Sequence, residues 1–149
     1  TDHAGTDCET FAKSRMVAVF IPGHELAAKA ALTLDDVAPH SLILVGTSSR
    51  VRILVDNAFY QSGLTPKVKF ETRTSITGRN LAAEGVGVGL VDELSCSNID
   101  PDELAVRPLE PEIPLVYGML TRSGAPSTPL IACLKEKIAE SFNARLDRQ

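Results

Sequence analysis

Two polar clusters carry the residue types best suited to gripping a small polar or anionic molecule: Thr47-Ser48-Ser49-Arg50 and Arg73-Thr74-Ser75. Hydroxyls both donate and accept hydrogen bonds, and a guanidinium offers a planar fork of donors that matches a carboxylate. In each cluster the arginine stands beside the expected amino end of a helix, where a positive charge opposes the helix dipole unless an anion compensates it. The hydroxyls have a second reading as helix caps, each contributing about 1 kcal/mol, and the arginines a second reading as solvated side chains. Both pairs of readings stand on the residues alone.

Other chemistries find less support. Gly85-x-Gly87-x-Gly89 follows a helix and lies within a strand, whereas a dinucleotide fingerprint must follow a strand and open a helix. Gly85 is better read as a left-handed helix terminator, with the other glycines letting a neighbouring backbone or a ligand come close. His3, His24 and His40 are far apart and none has a ligand partner at helical spacing, so no metal site is expected. There is no Gly-x-Ser-x-Gly elbow, and Ser48-Ser49 sits at an ordinary cap; no catalytic residue, no enzyme activity and no cofactor are expected. Cys8, Cys96 and Cys133 are odd in number and widely spaced, which predicts free thiols in a reducing cytoplasm.

The elements that must position the polar clusters read clearly. Residues 16–21 (MVAVFI) and 41–45 (SLILV) are short apolar runs of the kind buried on both faces of a sheet. Residues 33–37 look like one capped helical turn. Val51, Leu54, Val55, Ala58 and Phe59 form a helical stripe that ends at Gly63. A strand over 68–72, a helix closed by Gly85, and a strand over 86–91 follow. The alternation predicts an α/β fold with a parallel or mixed sheet. Residues 1–15 read as a loop or linker, 104–107 as a short edge strand and 115–120 as the last strand. Pro129 opens a closing helix whose Ile131, Leu134, Ile138 and Phe142 form an apolar face, and that face must be buried against a neighbour or by altered packing.

At 149 residues, with 44% hydrophobic and 23% charged residues, the chain suits one soluble domain with an appendage. Its formal charge of −4 and scattered cations supply no stripe for neutralising nucleic-acid phosphates, and no apolar run is long enough to span a bilayer.

Taken in order, residues 16–27 (MVAVFIPGHELA), 32–37 (LTLDDV) and 81–91 (LAAEGVGVGLV) resemble the effector-binding domain of LysR-type transcription regulators, with its strand ending in proline, its "sLaDL" turn and its helix running into "aGlGia". The resemblance implies a two-lobed fold like the type 2 periplasmic binding proteins. Residues 1–15 would be a linker or remnant of the first lobe, 16–120 the second lobe with both crossover strands, and 121–149 the C-terminal helix returning to the first lobe. Carried over by position, the second-lobe pocket falls on Thr47, Ser48, Ser49, Arg50, Arg73, Thr74 and Ser75. Val91-Asp92-Glu93-Leu94-Ser95 resembles "VDPLT", with Glu93 in place of proline, which adds Asp92 and points to an amino acid or opine as effector. DNA contact is expected only through an N-terminal helix-turn-helix outside these residues, and the intact protein is expected as a homodimer or homotetramer. A solute-binding protein of a transport system, built on the same lobes, is the alternative that the resemblance leaves open.

Overall fold

The computed structural model describes residues 5–146. Seven strands form one mixed sheet: β1 (Thr6–Phe20), β2 (Leu32–Thr33), β3 (Leu42–Val45), β4 (Val68–Thr72), β5 (Val88–Asp92), β6 (Ala105–Glu110) and β7 (Pro114–Arg122). Their lateral order is β2-β6-β1-β5-β3-β4, with β7 paired to β1 alone. Strands β3, β4 and β5 run parallel to one another, while β1 runs antiparallel to β5 and β6. Among the described residues four α-helices accompany them: α1 (Leu34–Val37), α2 (Arg50–Gln61), α3 (Ser75–Ala83) and α4 (Pro129–Leu146).

The apolar runs are explained by helices on both sides of the sheet. Met16, Ala18, Phe20, Leu42 and Leu44 face α2, where Val55 and Phe59 cover them. Val17, Val19, Ile43 and Val91 point the other way and meet Ala82 of α3. Alternate residues of one strand thus enter two separate cores. The single turn α1 carries a full capping box, in which Thr33 and Asp36 each satisfy the other's backbone N–H. Gly85 ends α3 in the left-handed region at φ 71°, as the sequence suggested.

Two expectations are corrected. Thr6 to Arg15, read as loop, is strand, because it pairs with β7 from Thr6 opposite Arg122 to Arg15 opposite Pro114, with one irregularity between Thr10 and Ala12. The pair forms a two-stranded ribbon that continues beyond the main sheet. The expected edge strand is longer than 104–107 and lies inside the sheet: β6 pairs with β1 on one side and, at Leu109 and Glu110, with β2 on the other.

Helix α4 packs partly on that ribbon. Its Phe142 ring meets Phe11 at 5.1 Å and Tyr117 at 5.2 Å, and Lys135 pairs with Glu9 at 2.9 Å. Ile138 is half-buried, but Ile131 remains 39% and Leu134 57% exposed. A ribbon of two strands is too narrow to cover the apolar stripe of an 18-residue helix.

Candidate functional site

The chain passes from β3 to α2 on one face of the sheet and from β4 to α3 on the other, so the two loops diverge at the carboxyl ends of adjacent strands. Such a switch point is where open α/β sheets place ligands, because helix amino ends and unpaired amides surround the crevice. The loops stay in contact. Gly46 N–H donates to Thr72 O at 2.8 Å, and Thr72 Oγ1 donates to Thr74 O at 3.1 Å.

The clusters therefore share one rim although their helices pack on opposite faces. Ser49 caps α2, its Oγ accepting from Val51 N–H at 3.2 Å. Thr74 caps α3, its Oγ1 accepting from Thr77 N–H at 3.2 Å. Ser75, the first helical residue, reaches sideways and accepts from Asp92 N–H at 3.3 Å, which ties the end of β5 to the same rim. Asp92 Oδ1 accepts from Ser14 Oγ at 2.8 Å and from Leu94 N–H at 3.0 Å.

Thr47, Ser48, Arg50 and Arg73 are exposed. The side chains of Thr47, Ser48 and Arg73 make no hydrogen bond or ion pair with the described residues. Arg73 is thus a cation without a counter-ion among the described residues, directly before the Thr74 cap of α3. Three cavities, of about 610, 220 and 520 Å³, lie elsewhere and include none of the eight predicted residues in their walls.

The LysR substrate binding domain model matches residues 1–143. The chain belongs to the LysR substrate-binding-domain family. Its relatives include the transcriptional activator protein LysR of Escherichia coli, 27% identical over 86% of this chain and 41% of that protein. An uncharacterised HTH-type regulator, YybE of Bacillus subtilis, is 26% identical over 84% of this chain and 43% of its own. The chain spans about half the length of the curated relatives it matches.

Two solved structures share the fold. The effector-binding domain of QuiR in complex with shikimate superimposes with a TM-score of 0.74 at 18% identity, covering 94% of this chain and 66% of that one. The CcmR regulatory domain of Synechocystis in complex with 2-PG gives 0.77 at 16% identity, covering 92% and 67%. The mixed sheet with its flanking helices is the periplasmic-binding-protein-like fold of LysR regulatory domains.

Within this LysR-family rim, one important residue escaped the sequence reading. Arg52 projects from α2 and is only 8% exposed. It donates to Asp56 Oδ1 and Glu71 Oε1, each at 2.8 Å, and to Val45 O at 3.2 Å. It therefore clamps α2 to the carboxyl ends of β3 and β4, directly beneath the rim. Burial alone would lower its pKa, but the two carboxylates more than offset this and keep it charged. The available signal was an arginine and an aspartate four residues apart on one helix. An Arg52→Ala chain is expected to lose about 2 kcal/mol in urea unfolding, less than for a fully buried pair because Asp56 and Glu71 can rehydrate. An unchanged midpoint would mean that the clamp does not hold the rim.

Burial raises the pKa of Asp92 against the opposing hydrogen bonds from Ser14 and Leu94 N–H. A carboxyl raised in the folded state binds a proton more tightly there than in the unfolded chain. Its contribution is complete below the ordinary aspartate value and is lost as pH rises through the folded value. Relative to Asp92→Asn, the native chain should therefore lose stability as pH rises from the ordinary aspartate value through the higher folded value of Asp92. Parallel urea titrations across that window test this, and identical pH profiles for the two chains would contradict it.

Among the described residues no group of three or more His, Cys, Asp or Glu is arranged to hold a metal, and His3 lies outside them. His24 and His40, distant in sequence, meet with ring centroids 4.9 Å apart. Among the described residues no helix is long and apolar enough to cross a membrane.

Proposed function

We propose that this chain is the effector-sensing part of a cytoplasmic, non-enzymatic LysR-type transcription regulator whose rim at β3, β4 and β5 binds a small carboxylated metabolite, such as an amino acid or opine. Arg73 pairs with the carboxylate. Thr47 and Ser48 donate hydrogen bonds from the adjoining loop, while Ser49 and Ser75, already engaged through their acceptor lone pairs, keep hydroxyl protons to offer, and Thr74 joins them through the hydroxyl it pairs with Thr77. Arg50 adds positive potential, and Asp92 positions Ser75 and receives a ligand ammonium group where one is present. The observation that carries this reading is the exposed, uncompensated Arg73 at a switch point framed by two helix amino ends.

In this reading β1 and β7 are the crossover strands, residues 16–120 form the second lobe, and residues 121–149 return to the first. The intact protein reaches DNA through an N-terminal helix-turn-helix and works as a homodimer or homotetramer. A ligand contacting both lobes favours the closed arrangement, and only its differential affinity can shift the equilibrium. The small-molecule complexes of QuiR with shikimate and CcmR with 2-PG support a ligand of this size. The test is a thermal-shift panel of amino acids, opines and hydroxy acids on the full-length regulator. Saturable stabilisation by a carboxylate, absent with its amide, is expected. Stabilisation only by uncharged compounds would overturn the reading.

A further inference from the structure

Away from the rim, a cavity of about 610 Å³ opens between β6 and the 3-10 turn Glu93–Cys96, a volume within the range of small-molecule sites. Its floor is apolar, with Val17, Leu104 and Ala105 all buried. Cys96 adds a neutral wall, since burial pushes its thiol up to about 11. Two arginines stand in its walls, and they differ. Arg15 is neutralised by Glu93, to which it donates twice, at 3.0 and 2.8 Å.

Arg107 has no carboxylate partner among the described residues. Its guanidinium is pinned by three backbone carbonyls instead: Lys29 O at 2.7 Å, Val106 O at 2.9 Å and Ala27 O at 3.0 Å. Those bonds use three of its five N–H donors and leave the charge uncompensated. A half-buried, pre-oriented cation bordering an apolar floor is complementary to a molecule with a hydrocarbon body and one anionic end.

We propose that this cavity is a second small-molecule site, separate from the rim, that takes amphipathic monocarboxylates with the carboxylate on Arg107 and the apolar body over Val17 and Leu104. The turn Glu93–Cys96 borders this cavity and also continues directly from Asp92. Occupancy here can therefore be felt at the rim through the paired Ser14–Asp92 and Arg15–Glu93 contacts.

The experiment is an NMR titration of the 149-residue chain with hexanoate and, separately, with the neutral hexanamide. Hexanoate is expected to shift the amides of Ile99, Leu104, Val106 and Arg107 saturably, and hexanamide to bind at least about fivefold more weakly. Arg107→Gln should weaken hexanoate by a similar factor. If that variant does not fold, Ile99→Trp, which enlarges a side chain in the cavity wall and replaces none of the residues bonded to the guanidinium, should abolish the shifts. Arg73→Ala should leave them unchanged, which separates this site from the rim. Absence of saturable shifts, equal binding of the amide, persistence in Ile99→Trp, or shifts confined to residues 46–50 and 73–75 would each overturn the proposal.

Discussion

An Arg73→Ala regulator is expected to bind its carboxylated effector at least about tenfold more weakly than the native protein in calorimetry. A hydrogen bond to a charged group contributes about 1.5 to 3 kcal/mol, and about 1.4 kcal/mol corresponds to a factor of ten. Arg73 is exposed and makes no ion pair with the described residues. Removing it therefore costs the fold little, and the loss should appear in binding rather than in the urea midpoint. Because the charge stands in solvent, the native affinity should also fall as salt rises, and this dependence should be shallower in the variant. Equal affinities would remove Arg73 from the site and leave the neighbouring hydroxyls as caps only.

The largest expected effect on stability comes from Gly87→Ala. A methyl group there would collide with the carbonyl oxygen of Ser41, the same oxygen that accepts from Val88 N–H at 3.0 Å. The clash is with backbone, so no side-chain rotation relieves it, and the parallel pairing of β5 with β3 must shift. We expect a loss of about 3 kcal/mol or more in urea unfolding. Gly23→Ala is the control: no atom lies within 4 Å of its added methyl, and its effect should stay within about 0.5 kcal/mol. A Gly87→Ala chain as stable as the control would show that the strand tolerates displacement there.

This contact also decides between the two roles left open for the glycines of residues 85–89. Gly87 admits a neighbouring backbone, and an alanine at Gly89 would meet Val19 Cγ2 at 2.8 Å. Neither glycine faces the rim clusters, so both serve close packing of β5 between β3 and β1.

Local signals were legible wherever the stabilising partner is close in sequence. The capping box of Thr33 and Asp36 joins residues three apart, and the terminator at Gly85 needs only its own helix. The cap at Ser49 bonds two residues ahead. The buried run 42–45 is legible for another reason, since only a strand covered on both faces can be apolar throughout. Where partners are remote, reading failed. Thr6 to Arg15 is polar on its exposed side, and the β7 residues that make it a strand lie about a hundred positions later. Likewise Ser75 looked like one more cap, yet its hydroxyl serves Asp92, 17 positions away. Nothing local marked Arg52 as buried, because its burial depends on β4 supplying Glu71.

The order of strands and helices, the capped helix starts and the family resemblance were all written in the amino-acid sequence, because each rests on periodicity or on bonds spanning a few residues. Tertiary structure alone decided that the two polar clusters share a rim while their helices occupy opposite sheet faces. It alone set Arg107, which has no carboxylate partner among the described residues, beside an apolar floor that includes Val17 of β1, and it left the stripe of α4 partly uncovered. Those outcomes depend on lateral strand order and on which long-range partners arrive. That choice is made by burying two separate cores on one sheet, a property that no short stretch of chain contains.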